Sequence, residues 1–249
     1  MELKLDRAAP AIYKDCVTST NTLLKGLAAS GLADGFTLAA AKQTSGRGRL
    51  GRSFESPEGG LYMSMLLYPG RDLQRTATLT PCAAVAVCRA INSVCGVMPQ
   101  IKWPNDLQLD GRKLCGILTE ASSVRGRAYV VIGIGINLNT KISTLPAPLC
   151  ETAISLADYT GKKFDNIELA TAIINELDRM YAEWKNDSTC CLAEYRSLCA
   201  SLGHNVTLIQ GDNRRAAFVR DVDESYALIA DINGEEEHIS MGEISLRDS

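Results

Sequence analysis

The sequence has few of the residues that build metal sites or nucleophilic triads. Its two histidines, His204 and His238, do not lie at zinc-site spacing from any cysteine. Nine cysteines are present without a Cys-x-x-Cys pair, and Cys190 and Cys191 are adjacent. An odd count without disulfide-framework spacing indicates reduced, buried thiols, as in cytosolic proteins. We expect no metal site built by protein side chains alone and no histidine-based triad.

The chain also lacks an apolar N-terminal signal core and an excess of basic charge. Residues 1–6 alternate charged and apolar side chains, and no stretch is apolar for long enough to suggest a membrane span. The formal net charge is −3. Nucleic-acid-binding domains usually carry a broad basic excess, which is missing here. These features predict a cytoplasmic protein with neither a membrane nor DNA as its partner.

Positive charge is concentrated in one place, residues 46–52, Gly-Arg-Gly-Arg-Leu-Gly-Arg, which we call the Arg/Gly loop. Glycine lets a backbone approach a ligand closely, and arginine grips phosphate or carboxylate with two parallel hydrogen bonds. Because the rest of the chain is mildly acidic, a small anion is favoured over a polyanion. By itself this run is weak evidence for a binding site, since Arg/Gly tracts are often solvated loops.

Hydrophobic periodicity divides the chain into two parts. Through about residue 200, apolar strands alternate with amphipathic helices; 61–67 is nearly all apolar and predicts a central strand, and Asp110-Gly111 predicts a tight hairpin. From Asn205 onward, four short strands are separated by turn residues and suggest a small barrel. We predict domains at 1–202 and 203–249. Glycines 133 and 135, inside a strand, predict a bulge or a ligand held against the backbone.

Several further motifs complete the pattern. They are Ser19-Thr20-Asn21, Gln43 before the Arg/Gly loop, Lys102-Trp103-Pro104-Asn105-Asp106, Lys113-Leu114-Cys115-Gly116, Gly133-Ile134-Gly135-Ile136-Asn137, and Gly242-Glu243-Ile244-Ser245-Leu246-Arg247. In this order and over nearly the whole chain, the set resembles the biotin protein ligases, or biotin–[acetyl-CoA-carboxylase] ligases. The resemblance implies an α/β (α+β) fold: a class II synthetase-like, biotin/lipoate ligase mixed sheet with packed helices, and a C-terminal SH3-like β-barrel.

The resemblance also implies a two-step reaction. Biotin and ATP, with Mg²⁺ bound to the nucleotide, give biotinyl-5′-AMP, and the biotinyl group passes to one lysine of a biotin carboxyl carrier protein. Some family members carry an N-terminal winged helix and repress transcription. Here the first strand is expected by about residue 11, which implies the monofunctional form without operator binding. Neither monomer nor homodimer is favoured by the sequence.

Site roles follow from the resemblance, residue by residue. Lys113, Arg47 and Arg49 are implied as catalytic. Biotin is implied to contact Ser19, Thr20, Asn21, Gln43, Gly46, Arg47, Gly48, Arg49, Lys113 and Gly116. ATP is implied to contact Arg47, Arg49, Arg52, Lys102, Asn105, Lys113 and Asn137. Without the resemblance, Ser19, Thr20 and Asn21 are more simply a helix N-cap, and Trp103 is more simply a packing residue. No residue in the loop after Asn137 can be assigned to an adenine contact.

Two other functions stay open at this point. A lipoate ligase or octanoyltransferase would share the fold, but those relatives lack the Arg/Gly motif. A nucleic-acid-binding module would use the loop and the barrel as surfaces, and steep salt dependence of binding would identify it. We also expect the Arg/Gly loop to be mobile without ligand and ordered with it, because an acyl-adenylate must be shielded from water.

Overall fold

The computed structural model describes residues 1–3, 5, 7–70 and 75–246, with the side chain of Leu246 excepted; Arg247 of the last motif lies outside this range. The strands of the first sheet are β1 (Ala11–Lys14), β2 (Thr37–Ala40), β3 (Leu61–Leu67), β4 (Gln100–Lys102), β5 (Asp106–Leu109), β6 (Arg112–Val124) and β7 (Arg127–Ile136). The helices are α1 (Thr20–Leu27), α2 (Leu79–Cys95), α3 (Leu149–Thr152), α4 (Leu156–Thr160), α5 (Asn166–Asn186) and α6 (Leu192–Leu198).

The first sheet is mixed, with the order β1-β2-β3-β7-β6-β5-β4. Among the strands that the structure describes in this sheet, β1 and β2 pair in parallel and all other neighbours are antiparallel. Strand β3 lies near the centre and is buried along its whole length, as its apolar run predicts. The predicted Asp110-Gly111 hairpin is also present, with φ of 47° and 74° at the two turn residues.

Alternation along the central strands separates two faces of this sheet. Ile132, Ile134 and Ile136 of β7 pack into the main core with the buried faces of α2 and α5. A second, smaller core on the other face holds Leu24 of α1 with Leu66 and Val131. Since side chains of a strand point alternately to opposite faces, Gly133 and Gly135 lie on the α1 face.

Helix α2, with the short turn before it, contradicts the expectation that no stretch is apolar for long enough to suggest a membrane span. Over Arg75–Cys95 it is long and apolar enough, by length and composition, to cross a membrane, and within the described ranges it is the one helix that is. Two thirds of its apolar window, 67%, is buried inside the protein. Its small residues pack between the sheet and α5, which accounts for the composition.

The second sheet contains β8 (Asn205–Gln210), β9 (Asn213–Val222), β10 (Leu228–Ile232), β11 (Glu235–Ile239) and β12 (Glu243–Leu246), ordered β11-β10-β9-β8-β12. All pairs are antiparallel, and the arrangement is consistent with an SH3-like domain. The four predicted strands are confirmed, and β12 is a fifth that periodicity missed. No pairing that closes β11 onto β12 is present among the described residues.

The two sheets share one contiguous hydrophobic core. Val206 and Val219 of the second sheet belong to the same buried cluster as the helices of the first part. The side chain of Trp103, which follows β4, donates from Nε1 to the Tyr226 carbonyl oxygen at 3.0 Å. Trp103 is therefore a packing residue, as predicted, and it joins the second sheet to the segment that precedes Asn105.

Candidate functional site

One cavity opens on the α1 face of the first sheet, beneath the Arg/Gly loop. It is lined by all of the predicted site residues except Gly46 and Asn137, together with residues of the second sheet. The predicted residues that line it are Ser19, Thr20, Asn21, Gln43, Arg47, Gly48, Arg49, Arg52, Lys102, Asn105, Lys113 and Gly116. Residues from distant parts of the sequence thus converge on one place; the binding roles assigned to them stay predictions.

The inner end of the cavity is uncharged and rich in hydrogen-bonding groups. Gln43 accepts at Oε1 from the backbone N–H of Thr20 at 2.8 Å, and its Nε2 donates to Ser56 Oγ at 3.0 Å. Ser64 Oγ bonds to both Thr20 Oγ1 at 2.7 Å and Asn21 Oδ1 at 2.5 Å. Ser19 is the predicted N-cap of α1. This network fixes the polar groups before any ligand arrives.

A partly buried acid, Glu120, supports that network from behind. Asn21 Nδ2 donates to Glu120 Oε2 at 3.0 Å, and Lys25 Nζ lies 2.7 Å from Glu120 Oε1. Burial by itself would raise the pKa of Glu120, but the hydrogen bonds from Lys25 and Asn21, with the charge of Lys25, lower the pKa below its ordinary value. Glu120 is therefore a carboxylate that holds Asn21 in one orientation.

The floor of the cavity is glycine backbone. Gly116 of β6 and Gly135 of β7 are register partners, and Gly133 lies two residues earlier on β7. A methyl group on Gly133 would collide with the Asn21 side chain, and one on Gly135 would lie 2.7 Å from the Phe54 ring. No register shift accompanies these glycines in β7, so the bulge interpretation was wrong. Close approach of a side chain or a ligand to the backbone is what they allow.

A β-bulge aims Lys113 into the cavity. The β5–β6 register changes so that Leu107 faces Cys115 while Gln108 faces Lys113, which leaves Leu114 as the extra residue. Regular alternation would place residues 113 and 116 on opposite faces, and the extra residue brings both to the cavity. Lys113 Nζ lies 2.8 Å from Asp106 Oδ2, and its side chain is 42% exposed. Oδ1 of Asp106 is buried without a hydrogen-bond partner among the described residues.

The three arginines of the Arg/Gly loop have different partners. Arg49 Nη1 donates to Asn105 Oδ1 at 2.9 Å, and Asn105 Nδ2 in turn donates to the Ile117 carbonyl at 2.9 Å. Arg52 Nη1 lies 2.7 Å from Glu243 Oε1 of β12. In the described part of the chain, Arg47 and Lys102 have no carboxylate at salt-bridge distance. The mouth of the cavity therefore carries several cations and few acids to neutralise them.

Two predicted residues lie outside the lining. Gly46 is packed so tightly that a methyl group would collide with the Phe54 carbonyl and the Ser56 hydroxyl. Asn137 is buried; its backbone N–H donates to the Leu114 carbonyl at 3.0 Å and its Nδ2 to the Lys113 carbonyl at 3.5 Å. Direct ligand contact by either residue stays a prediction. Both residues fix the elements that carry Arg47 and Lys113.

Sequence reasoning missed several residues of the site. Phe54 lies over Gly116 and Gly135, and Lys113 Nζ is 5.8 Å from its ring centroid. Ser64 lies within the apolar strand β3, where a single polar residue was the available clue. Asp106 stood in a recognised motif but received no role. Glu243 comes from the far end of the chain, and no local pattern could have placed it there.

The cavity combines two environments that suit one kind of chemistry. Its neutral inner end can bind an uncharged polar head, and its cationic mouth can bring two anions together. No serine or cysteine paired with a histidine lines it. A mixed sheet with such a cavity defines a class of domain that can hold a small acid beside an anionic co-substrate and whose cavity offers no obvious protein nucleophile.

Comparisons with known proteins identify the family. The profile of the Biotin/lipoate A/B protein ligase family matches residues 13–137. A protein of Mycobacterium tuberculosis named biotin–[acetyl-CoA-carboxylase] ligase is 30% identical over 91% of this chain and 85% of its own length. The chain belongs to the Biotin/lipoate A/B protein ligase family, as the motifs predicted.

A solved structure and a longer relative extend the comparison. The biotin protein ligase from Aquifex aeolicus in complex with biotin and ATP matches with a TM-score of 0.81 and 29% identity, covering 96% of this chain and 99% of that chain. The Bacillus subtilis bifunctional ligase/repressor BirA is 39% identical over 70% of this chain. The match spans only about half, 54%, of that protein's length.

Proposed function

We propose that this protein is a biotin protein ligase: it activates biotin with ATP as biotinyl-5′-AMP and transfers the biotinyl group to a lysine of a biotin carboxyl carrier protein domain. The observation that carries the proposal is a single cavity with a neutral hydrogen-bonding end and a cationic mouth. The relatives named for biotin ligation and the similar structure holding biotin and ATP support it.

The polar inner end suits the ureido head of biotin. Ser19, Thr20, Asn21 and Gln43 offer hydroxyl, amide and backbone groups to its N–H and C=O, and the network behind them limits their rotation. The glycine floor at Gly116 lets the rings lie against the β6–β7 backbone. A pocket made for a urea group leaves hydrogen-bonding groups unpaired when an apolar acid enters, and such mismatches are strongly rejected.

The cationic mouth suits the first chemical step. A biotin carboxylate oxygen forms a bond to the α-phosphorus of ATP while the bond to the pyrophosphate oxygen breaks. Both reactants are anions, so repulsion opposes their approach. Arg47, Arg49 and Lys113 would hold the carboxylate and α-phosphate together, with Lys102, Asn105 and Arg52 on the remaining phosphates. One well-placed donor of this kind contributes about 3–4 kcal/mol to transition-state stabilisation.

The second step needs an unprotonated lysine amine from the carrier. Its nitrogen attacks the biotinyl carbonyl carbon, an amide forms, and AMP leaves as the carbon–oxygen bond to phosphate breaks. The amine loses a proton in this step. The carboxylate of Asp106, which lines the cavity beside Lys113, would accept it. The Arg/Gly loop, with Gly48 as one of its flexible points, would keep water away between the two steps.

We propose that Mg²⁺ arrives as the ATP complex. The carboxylates that line the cavity are Asp106 and Glu243, and each already faces a cation. Phosphate oxygens and water would therefore supply the metal ligands, which is the usual mode for Mg²⁺. Bound in this way, the ion would neutralise phosphate charge as a Lewis acid.

The wider assignments rest on the same reasoning. The start of the second sheet at Asn205 supports domain limits of 1–202 and 203–249. Asn137 would act on ATP chiefly by holding the Lys113 strand in place, and Gly46 by admitting the Phe54 backbone. The carrier is proposed to belong to acetyl-CoA carboxylase or a related enzyme, because two relatives carry that name. A cytoplasmic location remains a prediction.

ATP–pyrophosphate exchange tests this function. Purified protein is incubated with ATP, Mg²⁺ and labelled pyrophosphate, with biotin, lipoate and octanoate in parallel. Exchange with biotin alone is the expected result. Exchange with lipoate would retain the fold but overturn the assignment of Ser19, Thr20 and Gln43 to a ureido group. Absence of exchange with every acid, in folded protein, would remove the enzymatic proposal.

A further inference from the structure

Three cysteine thiols outside the cavity converge where the helices meet the second sheet. Cys82 lies near the N-terminal end of α2, and Cys190 and Cys191 lie in the connection between α5 and α6. Their Sγ atoms all lie within 4.8 Å of one another, and those of Cys190 and Cys191 are 3.8 Å apart. No sequence pattern predicts this, because the fold brings the pair to a thiol about a hundred residues away.

The spacing matches a metal held by thiolates. With sulfur ligands at about 2.3 Å, a tetrahedral zinc site places its sulfurs about 3.8 Å apart. Cys82 and Cys191 are fully buried, whereas Cys190 is partly exposed. No histidine or carboxylate of the described residues belongs to the group. A donor set of sulfur alone selects soft or borderline ions and excludes Mg²⁺ and Ca²⁺.

We propose that Cys82, Cys190 and Cys191 form a site for one thiophilic divalent ion of the Zn²⁺ class, separate from the biotin and ATP cavity. The buried thiols supply two ligands from the protein interior. Cys190 supplies the third and marks the side from which the ion enters. Three protein ligands leave the fourth position to water, as in an open three-ligand site. Binding releases the thiol protons to solvent.

The surroundings of the cluster are held tightly. Tyr226, in the turn between β9 and β10, places its Oη 3.4 Å from Cys82 Sγ and 3.5 Å from the Ser188 carbonyl. Its φ is 63°, a conformation that a bulky side chain rarely adopts and that persists only where its surroundings enforce it. Its ring packs edge-on against Tyr195, with centroids 5.2 Å apart. Neither tyrosine replaces a thiol, but both limit movement of Cys82.

The site would join three parts of the molecule. An ion bound there links α2 to the α5–α6 connection directly, and to the second sheet through the Tyr226 contact. Because Tyr226 also accepts the hydrogen bond from Trp103, the linkage extends to the segment that leads to Asn105. An ion that binds the folded chain and not the unfolded one raises the Tm. We therefore expect stabilisation as a second readout besides binding itself.

A disulfide within the cluster is the rival explanation, and it is less well supported. Any disulfide would use two of the three thiols and leave the third without a role, and joining the adjacent Cys190 and Cys191 would close a small strained ring. It would also require an oxidant that the cluster does not supply. A three-thiolate metal site uses every member of the cluster. This proposal does not depend on the proposed ligase activity.

Cobalt substitution tests the proposal on the full-length chain. Protein is reduced, stripped with a chelator and titrated with Co²⁺ alone, and then with Zn²⁺ in competition. The expected result is one equivalent of Co²⁺ with thiolate charge-transfer absorption and the visible bands of a tetrahedral ion, displaced by Zn²⁺, together with a higher Tm. Cys190→Ser and Cys191→Ser should weaken binding at least about tenfold, since a metal ligand is lost. Cys88→Ser is the matched control.

The control is informative because Cys88 is also a buried thiol of α2, with its Sγ near the Pro99 carbonyl rather than the cluster. Binding that is equally strong in all variants would overturn the site. So would the absence of thiolate–Co²⁺ absorption in protein whose nine cysteines all titrate as free thiols. Rapid formation of a disulfide between cluster cysteines under mild oxidation, unaffected by prior addition of Zn²⁺, would assign the cluster to redox chemistry instead.

Discussion

Replacing Lys113 by glutamine separates a catalytic role from a structural one. The ammonium group is 2.8 Å from Asp106, but the two side chains are 42% and 24% exposed, so solvent screens the pair. An ion pair of this exposure contributes at most about 1 kcal/mol to folding. If Lys113 instead stabilises charge on the attacked phosphate, its loss should cost about 3–4 kcal/mol in the transition state, or about 10²–10³ in rate.

The assay compares exchange rate and unfolding in the same preparations. Lys113→Gln should lower biotin-dependent pyrophosphate exchange by that factor while the free energy of unfolding changes by less than about 1 kcal/mol. Arg112→Gln is the matched control: it removes a neighbouring positive charge on the same strand, yet Arg112 is exposed and does not line the cavity. Its exchange rate should stay within about twofold of the unsubstituted protein.

Three results would refute this reasoning. Near-normal exchange in Lys113→Gln would show that the bulge in β6 serves some purpose other than aiming an ammonium group at the reacting phosphate. Equal losses of exchange rate in Lys113→Gln and Arg112→Gln would show that the overall positive potential at the cavity mouth determines the rate, and that the position of the Lys113 amine does not. A large fall in stability without a change in rate per folded molecule would place Lys113 among the structural residues.

The remaining predictions concern the loop, the floor and the supporting acid. Arg49→Gln should reduce exchange by about 10²-fold or more, because it removes a cation from the reacting carboxylate and α-phosphate. Arg52→Gln removes an exposed ion pair and a contact to the outer phosphates only, so it should reduce exchange far less; equal effects would contradict the assigned positions. Gly133→Ala should destabilise the fold by about 1–3 kcal/mol and weaken biotin binding, because the added methyl group displaces Asn21. Gly26→Ala is the control: open space surrounds the added methyl group, so its Tm in thermal denaturation should be unchanged or higher. The pKa of Glu120 is lowered in the folded protein, so the stabilisation from its ion pair with Lys25 is present above the unfolded pKa and is lost as pH falls through the folded pKa. Lys25→Met should therefore make the Tm fall less steeply with decreasing pH on the acid side. An unchanged acid-side slope would exclude the Lys25–Glu120 pair as its cause.

Local patterns predicted the elements that packing alone determines. The run 61–67, apolar except for Ser64, is strand β3 to the residue, and the four short strands expected from Asn205 onward are observed as β8 to β11. In both cases the hydrophobic pattern fits only one kind of element, and burial of the apolar side chains stabilises that element along its length. The inner hydrogen-bonding residues were found through a motif, since their helix-cap pattern equally describes an ordinary N-terminus.

What the sequence could not supply depends on register and on distant contacts. The bulge adds one residue to β6, so that Lys113 and Gly116 face the same side of the sheet. No hydrophobic periodicity predicts such an extra residue. Strand β12 is short, and what defines it is pairing with β8 about 35 residues earlier. The cysteine cluster is the extreme case. Cys82 stands in an apolar stretch and the Cys190-Cys191 pair follows a polar segment, and only the packing of α2 on the α5–α6 connection makes the three thiols neighbours.

The partners of the loop arginines give a physical reason for the expectation that the Arg/Gly loop is mobile without ligand and ordered with it. Arg49 donates a hydrogen bond to Asn105, and Arg52 is paired with Glu243. For either arginine to bind a phosphate of ATP, it would have to exchange its protein partner for that phosphate. These contacts are weak enough to exchange, because Arg52 is 65% exposed and Leu50, at the loop tip, is 77% exposed with φ of 55°. A segment with little buried apolar surface and a strained residue lies at the low end of local stability. Bound anions that neutralise the arginines would then add the contacts that the loop lacks, which is the physical basis for expecting biotin and ATP to order it.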